Sequence, residues 1–278
     1  MIHRTYSVLL VDDEEPNRLL LAKRLEQDGY TVTTAENGRQ ALEVLRTEHF
    51  DLVLLDMYMP VMDGLATLDA IKSDSMLQDT KIVMLTAANT REHVVHCLSL
   101  GAADYLIKPV NPVEFKQRVS RCLLNGEKHI EPTVRIATTD RKNTRILIVD
   151  NEPLTLRLLG QRLSQLGYQS LAARCGREAL DLLTNEQVDA VLLDVNMPDM
   201  NGLEVLRSIR EVDKWRILPV LMLSADGDED TISRSYQLGA NDYLVKPFKF
   251  HDLQLRLAVA LDVAMSKMAN VSTNDHIN

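Results

Sequence analysis

Residues 51–64 read Asp-Leu-Val-Leu-Leu-Asp-Met-Tyr-Met-Pro-Val-Met-Asp-Gly, and this stretch decides the fold. Its apolar run at 52–55 is typical of a strand buried on both faces, and the run ends in a carboxylate, Asp56. Pro60 and Gly64 then indicate a turn, so Asp56 is predicted where a central strand leaves the sheet. Ligands of open α/β sheets bind at such strand ends, which makes Asp56 a candidate site residue.

The stretch recurs 138 residues later, at 189–202, as Asp-Ala-Val-Leu-Leu-Asp-Val-Asn-Met-Pro-Asp-Met-Asn-Gly. This places Asp194 where Asp56 was, and the same offset holds along the chain. It pairs Asp12 with Asp150, Thr86 with Ser224, Tyr105 with Tyr243, Lys108 with Lys246 and Pro109 with Pro247. The sequence is therefore a tandem duplication, and each copy is predicted to form its own domain.

The composition of the chain excludes several classes of protein. Its 278 residues are 45% hydrophobic, enough for two compact domains, and the net charge of −9 comes without the basic stripe of a nucleic-acid binder. The three cysteines lie far apart, as expected of reduced thiols. His93, His96 and Cys97 share a predicted helix, and we interpret them as structural or solvated rather than as metal ligands. With no signal peptide and no apolar run of spanning length, we expect a soluble cytoplasmic protein.

Short leucine-rich or β-branched runs alternate with amphipathic stretches of helical period in both copies. This alternation predicts the α/β class, with two doubly wound, five-stranded parallel sheets covered by helices. In the first copy the predicted strands are 7–11, 31–35, 52–56, 82–86 and 104–107, and the predicted helices are 15–27, 38–48, 64–72, 90–100 and 112–124. In the second copy the predicted strands are 145–150, 169–173, 190–194, 220–224 and 242–245, and the last helix is 250–267.

The domain boundaries follow from where this periodicity lapses. We assign residues 1–125 to the first domain and 144–267 to the second. The segment 126–143 is polar and contains a proline, so we interpret it as a linker. Residues 268–278 are interpreted as a polar tail with a disordered end.

In the first copy the chemically reactive side chains all lie at the C-terminal ends of predicted strands. Asp12 and Asp13 follow the first strand and Lys108 the fifth, while Asp56 ends the third and Thr86 the fourth. The carboxyl ends of parallel strands meet at one rim, where three carboxylates either raise a pKa or bind a divalent cation. Oxygen-only ligands favour Mg²⁺. A neighbouring lysine and hydroxyl indicate the handling of a phosphoryl group, with a carboxylate as the attacking group.

Four motifs occur in order in the first copy: Val11-Asp12-Asp13-Glu14, Asp56 with Met59-Pro60 and Asp63-Gly64, Thr86-Ala87, and Lys108-Pro109. This ordered set resembles the receiver domain of two-component response regulators, which is CheY-like. The resemblance covers nearly all of both copies. It implies two flavodoxin-like (βα)5 receiver domains in tandem.

The resemblance also implies a phosphoacceptor and a magnesium site. Asp56 would take a phosphoryl group from a phosphohistidine on a sensor histidine kinase or a histidine phosphotransfer protein. Asp13 would bind Mg²⁺ directly and Asp12 through water, and Asp56 and the backbone carbonyl of Tyr58 would complete the protein ligands.

Three further residues would carry the switch. Lys108 would contact the phosphoryl group across a Lys-Pro bond that is commonly cis in the family. Thr86 would move toward the phosphoryl oxygen, and the ring of Tyr105 would turn inward behind it. These movements would alter the surface of the fourth helix, fifth strand and fifth helix, the usual partner face in the family.

The second copy keeps this pattern with one change in its acidic pair. Its phosphoacceptor would be Asp194, its metal ligands Asp150, Asn151, Asp194 and the backbone of Asn196, and its phosphoryl-contact and switch residues Ser224, Lys246 and Tyr243. Asn151 stands where Asp13 stood and brings no charge, so we expect weaker Mg²⁺ binding and slower phosphorylation of Asp194. Tyr58 is bulky where Asn196 is small, so Tyr58 is expected to shield an acyl phosphate from water.

We therefore expect a phosphorelay response regulator without a DNA-binding output, whose receivers pair within the chain or in a homodimer. No enzymatic activity is expected beyond self-phosphorylation and autodephosphorylation. One alternative is the regulatory part of a tandem-receiver enzyme such as a diguanylate cyclase. A second is a Mg²⁺-dependent phosphohydrolase with an aspartyl-phosphate intermediate, although enzymes of the haloacid-dehalogenase type place an acidic Asp where Tyr58 and Asn196 stand. A third makes the second copy a pseudo-receiver kept for dimerisation, which Asn151 leaves open.

Overall fold

This computed structural model of the protein describes residues 5–87, 91–124, 143–225 and 228–274, and for 267–274 it describes the backbone only. The chain divides into two compact units, each built around one sheet. The predicted linker, 126–143, lies outside the described residues except for its last residue, Asn143.

The first unit is a five-stranded sheet with a helix after each strand. Its strands are β1 (Ser7–Val11), β2 (Thr31–Ala35), β3 (Leu52–Asp56), β4 (Ile82–Ala87) and β5 (Asp104–Lys108). Its helices are α1 (Glu15–Gln27), α2 (Gly38–Leu45), α3 (Gly64–Ser73), α4 (Arg91–Ser99) and α5 (Pro112–Leu124). All strand pairs are parallel, in the order β2-β1-β3-β4-β5. The order reverses between β1 and β3, and ligands of such sheets bind at the carboxyl ends of the strands on either side of this point.

The second unit repeats this topology. Its strands are β6 (Arg145–Val149), β7 (Gln169–Ala173), β8 (Ala190–Asp194), β9 (Val220–Ser224) and β10 (Asp242–Val245). Its helices are α6 (Pro153–Gln165), α7 (Gly176–Asn185), α8 (Gly202–Glu211), α9 (Glu229–Gln237) and α10 (Phe250–Asn274), with a 3₁₀ turn at Asp213–Trp215. The strands are parallel in the order β7-β6-β8-β9-β10. The prediction of two doubly wound, five-stranded parallel sheets is confirmed.

The apolar run at residues 52–55 lies in β3, at the centre of the first sheet. All five residues of β3 are buried, whereas in the edge strand β2 only the last residue, Ala35, is buried. One core cluster combines strand and helix residues: Val8, Leu10, Leu21, Leu25, Leu52, Leu54, Val83, Leu85, Leu106, Phe115, Val119 and Leu123. Burial of each such side chain contributes roughly 1.5–3 kcal/mol, and this holds the strand ends in fixed register.

Some predicted boundaries differ from the structure. β4 and β5 each extend one residue beyond their predicted ends, to Ala87 and Lys108. The helix α10 continues to Asn274 instead of ending at 267, so most of the predicted polar tail is helical. Residues 268–274 contain neither proline nor glycine, and nothing in their sequence stops a helix already formed. No helix among the described residues is long and apolar enough to cross a bilayer.

Candidate functional site

The residues predicted to form the site of the first unit lie at the carboxyl ends of its strands. Asp12 directly follows β1, Asp56 is the last residue of β3, and Thr86 lies near the end of β4. These three are buried, while Asp13 is exposed. Carboxylate oxygens of Asp12, Asp13 and Asp56 all lie within 4.8 Å of one another. Within the described part of the chain, no other group of three or more His, Cys, Asp or Glu residues comes as close.

Lys108 joins two of these carboxylates. Its Nζ donates to Asp12 Oδ2 at 2.9 Å and lies 2.8 Å from Asp56 Oδ1. Burial lowers the pKa of Lys108, but its hydrogen bonds to Asp56 and Asp12 outweigh that effect and the pKa is raised. Burial raises the pKa of Asp56, and Lys108 only partly offsets this. The site is therefore a partly dehydrated anionic cluster with a single bridging ammonium, which suits the binding of a cation and of phosphoryl oxygens.

The loop after β1 is fixed by hydrogen bonds to Asp12. The backbone N–H of Glu14 donates to Asp12 Oδ1 at 2.9 Å, and Nη1 of Arg18 donates to the main-chain oxygen of Asp12 at 2.7 Å. Arg18 also forms an ion pair with Glu36 at 3.3 Å. Sequence reasoning missed Arg18. Its signal is a departure from the repeat, since the matching residue in the second copy is Leu156.

Gly64 allows α3 to begin directly beside Asp56. The backbone N–H of Gly64 donates to the oxygen of Met57 at 3.0 Å, and an added Cβ at Gly64 would lie 2.1 Å from the main-chain oxygen of Asp56. Only glycine fits such a close approach. In the loop between Asp56 and Gly64, Val61 adopts a φ of 69°, a value that β-branched residues rarely adopt. The turn thus folds back tightly beside the end of β3.

The predicted switch residues lie deeper in the first unit. Thr86 is fully buried, and so is nearly all of Tyr105. The guanidinium of Arg118 lies 5.2 Å from the centre of the Tyr105 ring and donates to Asp104 at 2.6 Å and to Glu114 at 2.8 Å. Arg118 is itself buried, so β5 and α5 are joined by charged groups behind the tyrosine.

Tyr58 is half exposed, and its hydroxyl oxygen lies 3.0 Å from Nδ1 of His93 on α4. The two rings meet edge to face, with centroids 6.2 Å apart. The sequence did not predict this contact. Cys97 is buried, and His93, His96 and Cys97 are not among the close groups of ligand atoms in the described residues.

The second unit reproduces the arrangement around its own acceptor position. Lys246 Nζ donates to Asp150 Oδ2 and to Asp194 Oδ1, both at 2.7 Å. Burial raises the pKa of Asp194, as it does for Asp56. Ser224 and Tyr243 are buried like their counterparts. An added Cβ at the matching glycine, Gly202, would lie 2.2 Å from the main-chain oxygen of Asp194. The Lys-Pro bonds after both lysines are cis, as the resemblance implied.

The third acidic position distinguishes the two sites. Asn151 is exposed, as is Asp13, but it supplies an amide in place of a carboxylate. Asn196 and Asp199 make the loop after β8 polar where Tyr58 and Val61 make the loop after β3 apolar. The two units share a lysine-bridged pair of buried aspartates and differ at the rim.

Each unit is a doubly wound parallel sheet. Buried carboxylates and a bridging lysine lie at the topological switch point of this sheet, as in an α/β signalling receiver. The family model for the response regulator receiver domain matches residues 8–120 and 146–258. The chain therefore belongs to the response regulator receiver domain family and carries two tandem copies. The two tandem receiver domains expected from the sequence resemblance are confirmed.

Related proteins share one or both receivers. The chain is 28% identical over 265 residues to response regulator PleD of Caulobacter vibrioides, an alignment that covers 90% of this chain and 58% of PleD. It is 33% identical over 234 residues to the probable transcriptional regulator ycf27 of Guillardia theta, covering 79% of this chain and 87% of that protein. Among solved structures, chemotaxis response regulator CheY4 of Vibrio cholerae is 34% identical and matches 43% of this chain and all of CheY4, with a TM-score of 0.41.

Proposed function

We propose that Asp56 is the phosphoacceptor of the first receiver and that Asp194 is a slower acceptor in the second. The observation that carries this is the lysine bridge from Lys108 to Asp12 and Asp56 beside the exposed carboxylate of Asp13. A carboxylate at the end of a buried strand, held 2.8 Å from an ammonium, is fixed in one orientation at the edge of the sheet.

The proposed magnesium ligands are Asp12, Asp13, Asp56 and the backbone carbonyl of Tyr58. Their donor set fits the ion, because carboxylate oxygens within 4.8 Å of one another form a hard, anionic site without nitrogen or sulfur. In the second receiver Asp150, Asn151, Asp194 and the backbone of Asn196 supply the same positions with one charge fewer. Bound Mg²⁺ would neutralise charge on the phosphoryl oxygens during transfer.

The transfer itself uses the residues of the chain. A carboxylate oxygen of Asp56 attacks the phosphorus of a phosphohistidine as the P–N bond breaks, and the bonding electron pair leaves with the imidazole. Lys108 then exchanges its contact with Asp56 for one with a phosphoryl oxygen. The hydroxyl of Thr86 donates to another phosphoryl oxygen, and the ring of Tyr105 fills the space that Thr86 leaves. Ser224, Lys246 and Tyr243 take these roles in the second receiver.

We further propose partners of two kinds. The phosphoryl donor is a sensor histidine kinase or a histidine phosphotransfer protein in the cytoplasm, and the phosphorylated receivers act through protein contacts without binding nucleic acid. Receiver pairing occurs within the chain or in a homodimer. For the domain boundaries we retain 1–125, a linker at 126–143 and 144–267.

A second candidate function is the regulatory part of a longer tandem-receiver enzyme. It is favoured by one observation, that the chain spans 58% of the length of PleD while 90% of the chain takes part in that alignment. Under this reading the same two acceptor sites would control a catalytic domain, and the chemistry at Asp56 would be unchanged.

The deciding experiment measures phosphate incorporation by intact mass after incubation with acetyl phosphate and Mg²⁺. The proteins are wild type, Asp56→Ala, Asp194→Ala and the double variant, with chelator as a control. We expect rapid addition of one phosphate to Asp194→Ala, slower addition to Asp56→Ala and none to the double variant. Phosphate on the double variant, or none on wild type with either acetyl phosphate or a phosphorylated histidine phosphotransfer protein, would contradict the proposal.

A further inference from the structure

The contact between Tyr58 and His93 joins the loop after β3 to α4. Tyr58 lies two residues beyond Asp56, and His93 lies on α4, the helix that follows β4. β3 and β4 are neighbours, with Asp56 paired to Leu85. The 3.0 Å approach of the Tyr58 hydroxyl oxygen to His93 Nδ1 therefore joins the segments that follow these two neighbouring strands.

The second copy lacks the means to form this contact. Asn196 and Thr231 occupy the matching positions, and neither has a ring. The backbone N–H of Thr231 is engaged in the first turn of α9, where it donates to Asp228 Oδ1 at 2.8 Å. The contact between Tyr58 and His93 therefore distinguishes the first site from the otherwise similar second site.

We infer that His93 is a positioning residue that holds the ring of Tyr58 over the Asp56 site and so lengthens the life of the acyl phosphate. The inference rests on the proposed function of Asp56. Tyr58 has about half of its surface exposed, and without a partner its ring would be free to rotate away. The hydrogen bond and the edge-to-face contact with His93 fix the ring in one orientation before any phosphoryl group arrives.

The affected step is hydrolysis of the aspartyl phosphate. A water oxygen bonds to phosphorus as the P–O bond to Asp56 breaks. The electron pair returns to the Asp56 carboxylate, and inorganic phosphate leaves with the hydroxyl, while the remaining proton passes to solvent or phosphate. This water must approach from the side opposite the Asp56 oxygen. We infer that the ring of Tyr58, when His93 holds it, covers this side and excludes water, whereas a rotating ring would admit it.

The test uses the full chain carrying Asp194→Ala, so that only Asp56 takes phosphate. After loading with acetyl phosphate and Mg²⁺ and removal of the donor, the loss of phosphate is followed by intact mass. Further substitutions are His93→Ala, Tyr58→Phe, the double variant that carries both of these changes, and His93→Gln, which retains a hydrogen-bonding side chain. His96→Ala is the matched control, because His96 is also an exposed histidine on α4. Thermal melting of each variant reports its folding.

We expect His93→Ala and Tyr58→Phe each to speed phosphate loss about three- to tenfold, the effect of losing one hydrogen bond. The double variant should lose phosphate no faster than either single variant. The His93→Gln variant should lose phosphate at nearly the rate of the protein that carries only Asp194→Ala. Unchanged loss in His93→Ala, additive effects in the double variant, or equal acceleration by His96→Ala would overturn the inference while phosphorylation of Asp56 stands. Failure of the parent protein to take phosphate from both acetyl phosphate and a phosphorylated histidine phosphotransfer protein would instead refute the proposed function.

Discussion

The start of α3 at Gly64 rests directly on the main chain of Asp56, since an added Cβ would lie 2.1 Å from the Asp56 oxygen and 2.9 Å from its carbonyl carbon. Both obstructing atoms belong to the backbone, which cannot turn aside as a flexible side chain does. The glycine therefore fixes where the acceptor strand ends.

We expect Gly64→Ala to destabilise the protein by about 1–3 kcal/mol and to slow phosphorylation, because the end of β3 must shift. The measurements are urea unfolding and phosphate uptake. Gly160→Ala is the matched control, since the nearest atom to its added Cβ is the hydroxyl of Ser170 at 3.3 Å. That change lies inside α6, and we expect it to be neutral or stabilising. Equal destabilisation by both changes would contradict the close-contact argument.

We expect the charge at the third acidic position to set the Mg²⁺ affinity of each proposed site. We expect Asp13→Asn to weaken binding at the first site roughly tenfold and Asn151→Asp to strengthen it at the second by a similar factor. Both residues are exposed, so neither change should affect folding. Titration calorimetry would measure each site in a chain whose other acceptor is changed to alanine. Equal affinities at the two native sites would refute this account.

Burial of Asp56 costs stability when no cation is bound. Its pKa is raised in the folded protein, so its ionised form is disfavoured there relative to the unfolded chain. At neutral pH without Mg²⁺ we expect Asp56→Asn to raise the melting temperature by about 2–4 °C. The gain should vanish as the pH falls through the raised pKa toward the ordinary value of 3.8.

Calorimetry on wild type, Asp56→Asn and the exposed control Asp69→Asn, all in chelator, would check this expectation. Saturating Mg²⁺ should shrink the difference, since binding stabilises the wild type selectively. A lower melting temperature for Asp56→Asn in chelator would show that the contact with Lys108 outweighs the cost of burial.

Two of the three cysteines should resist alkylation. Burial raises the pKa of both Cys97 and Cys122 from 9.0 to about 12, and Asp104 adds to the effect at Cys122. Because the thiolate is the reacting form, a rise of this size lowers its fraction at pH 8 by roughly two to three orders of magnitude. Their rates should keep increasing with pH beyond 9. Peptide mass mapping after iodoacetamide treatment should find Cys175 modified first, and equal labelling of Cys97 at pH 8 would contradict the prediction.

Sequence reasoning predicted the sheets well because their signals are local. Residues 52–55 are all apolar, which indicates a strand buried on both faces. The same pattern recurs 138 residues later, and this repetition excludes a chance occurrence of the motif. The prediction that α10 ends at 267 is wrong, because residues 268–274 include no proline or glycine that would stop the helix.

The sequence by itself determined two parallel α/β units and the strand ends that carry Asp12, Asp56, Thr86 and Lys108, since hydrophobic period fixes strands and the topology brings their carboxyl ends together. Only the tertiary structure decided how side chains distant in sequence meet there. Lys108 reaches Asp12 across 96 positions, and Tyr58 reaches His93 across 35. Such contacts depend on rotamers and loop paths set by packing of the whole unit, which no local pattern records.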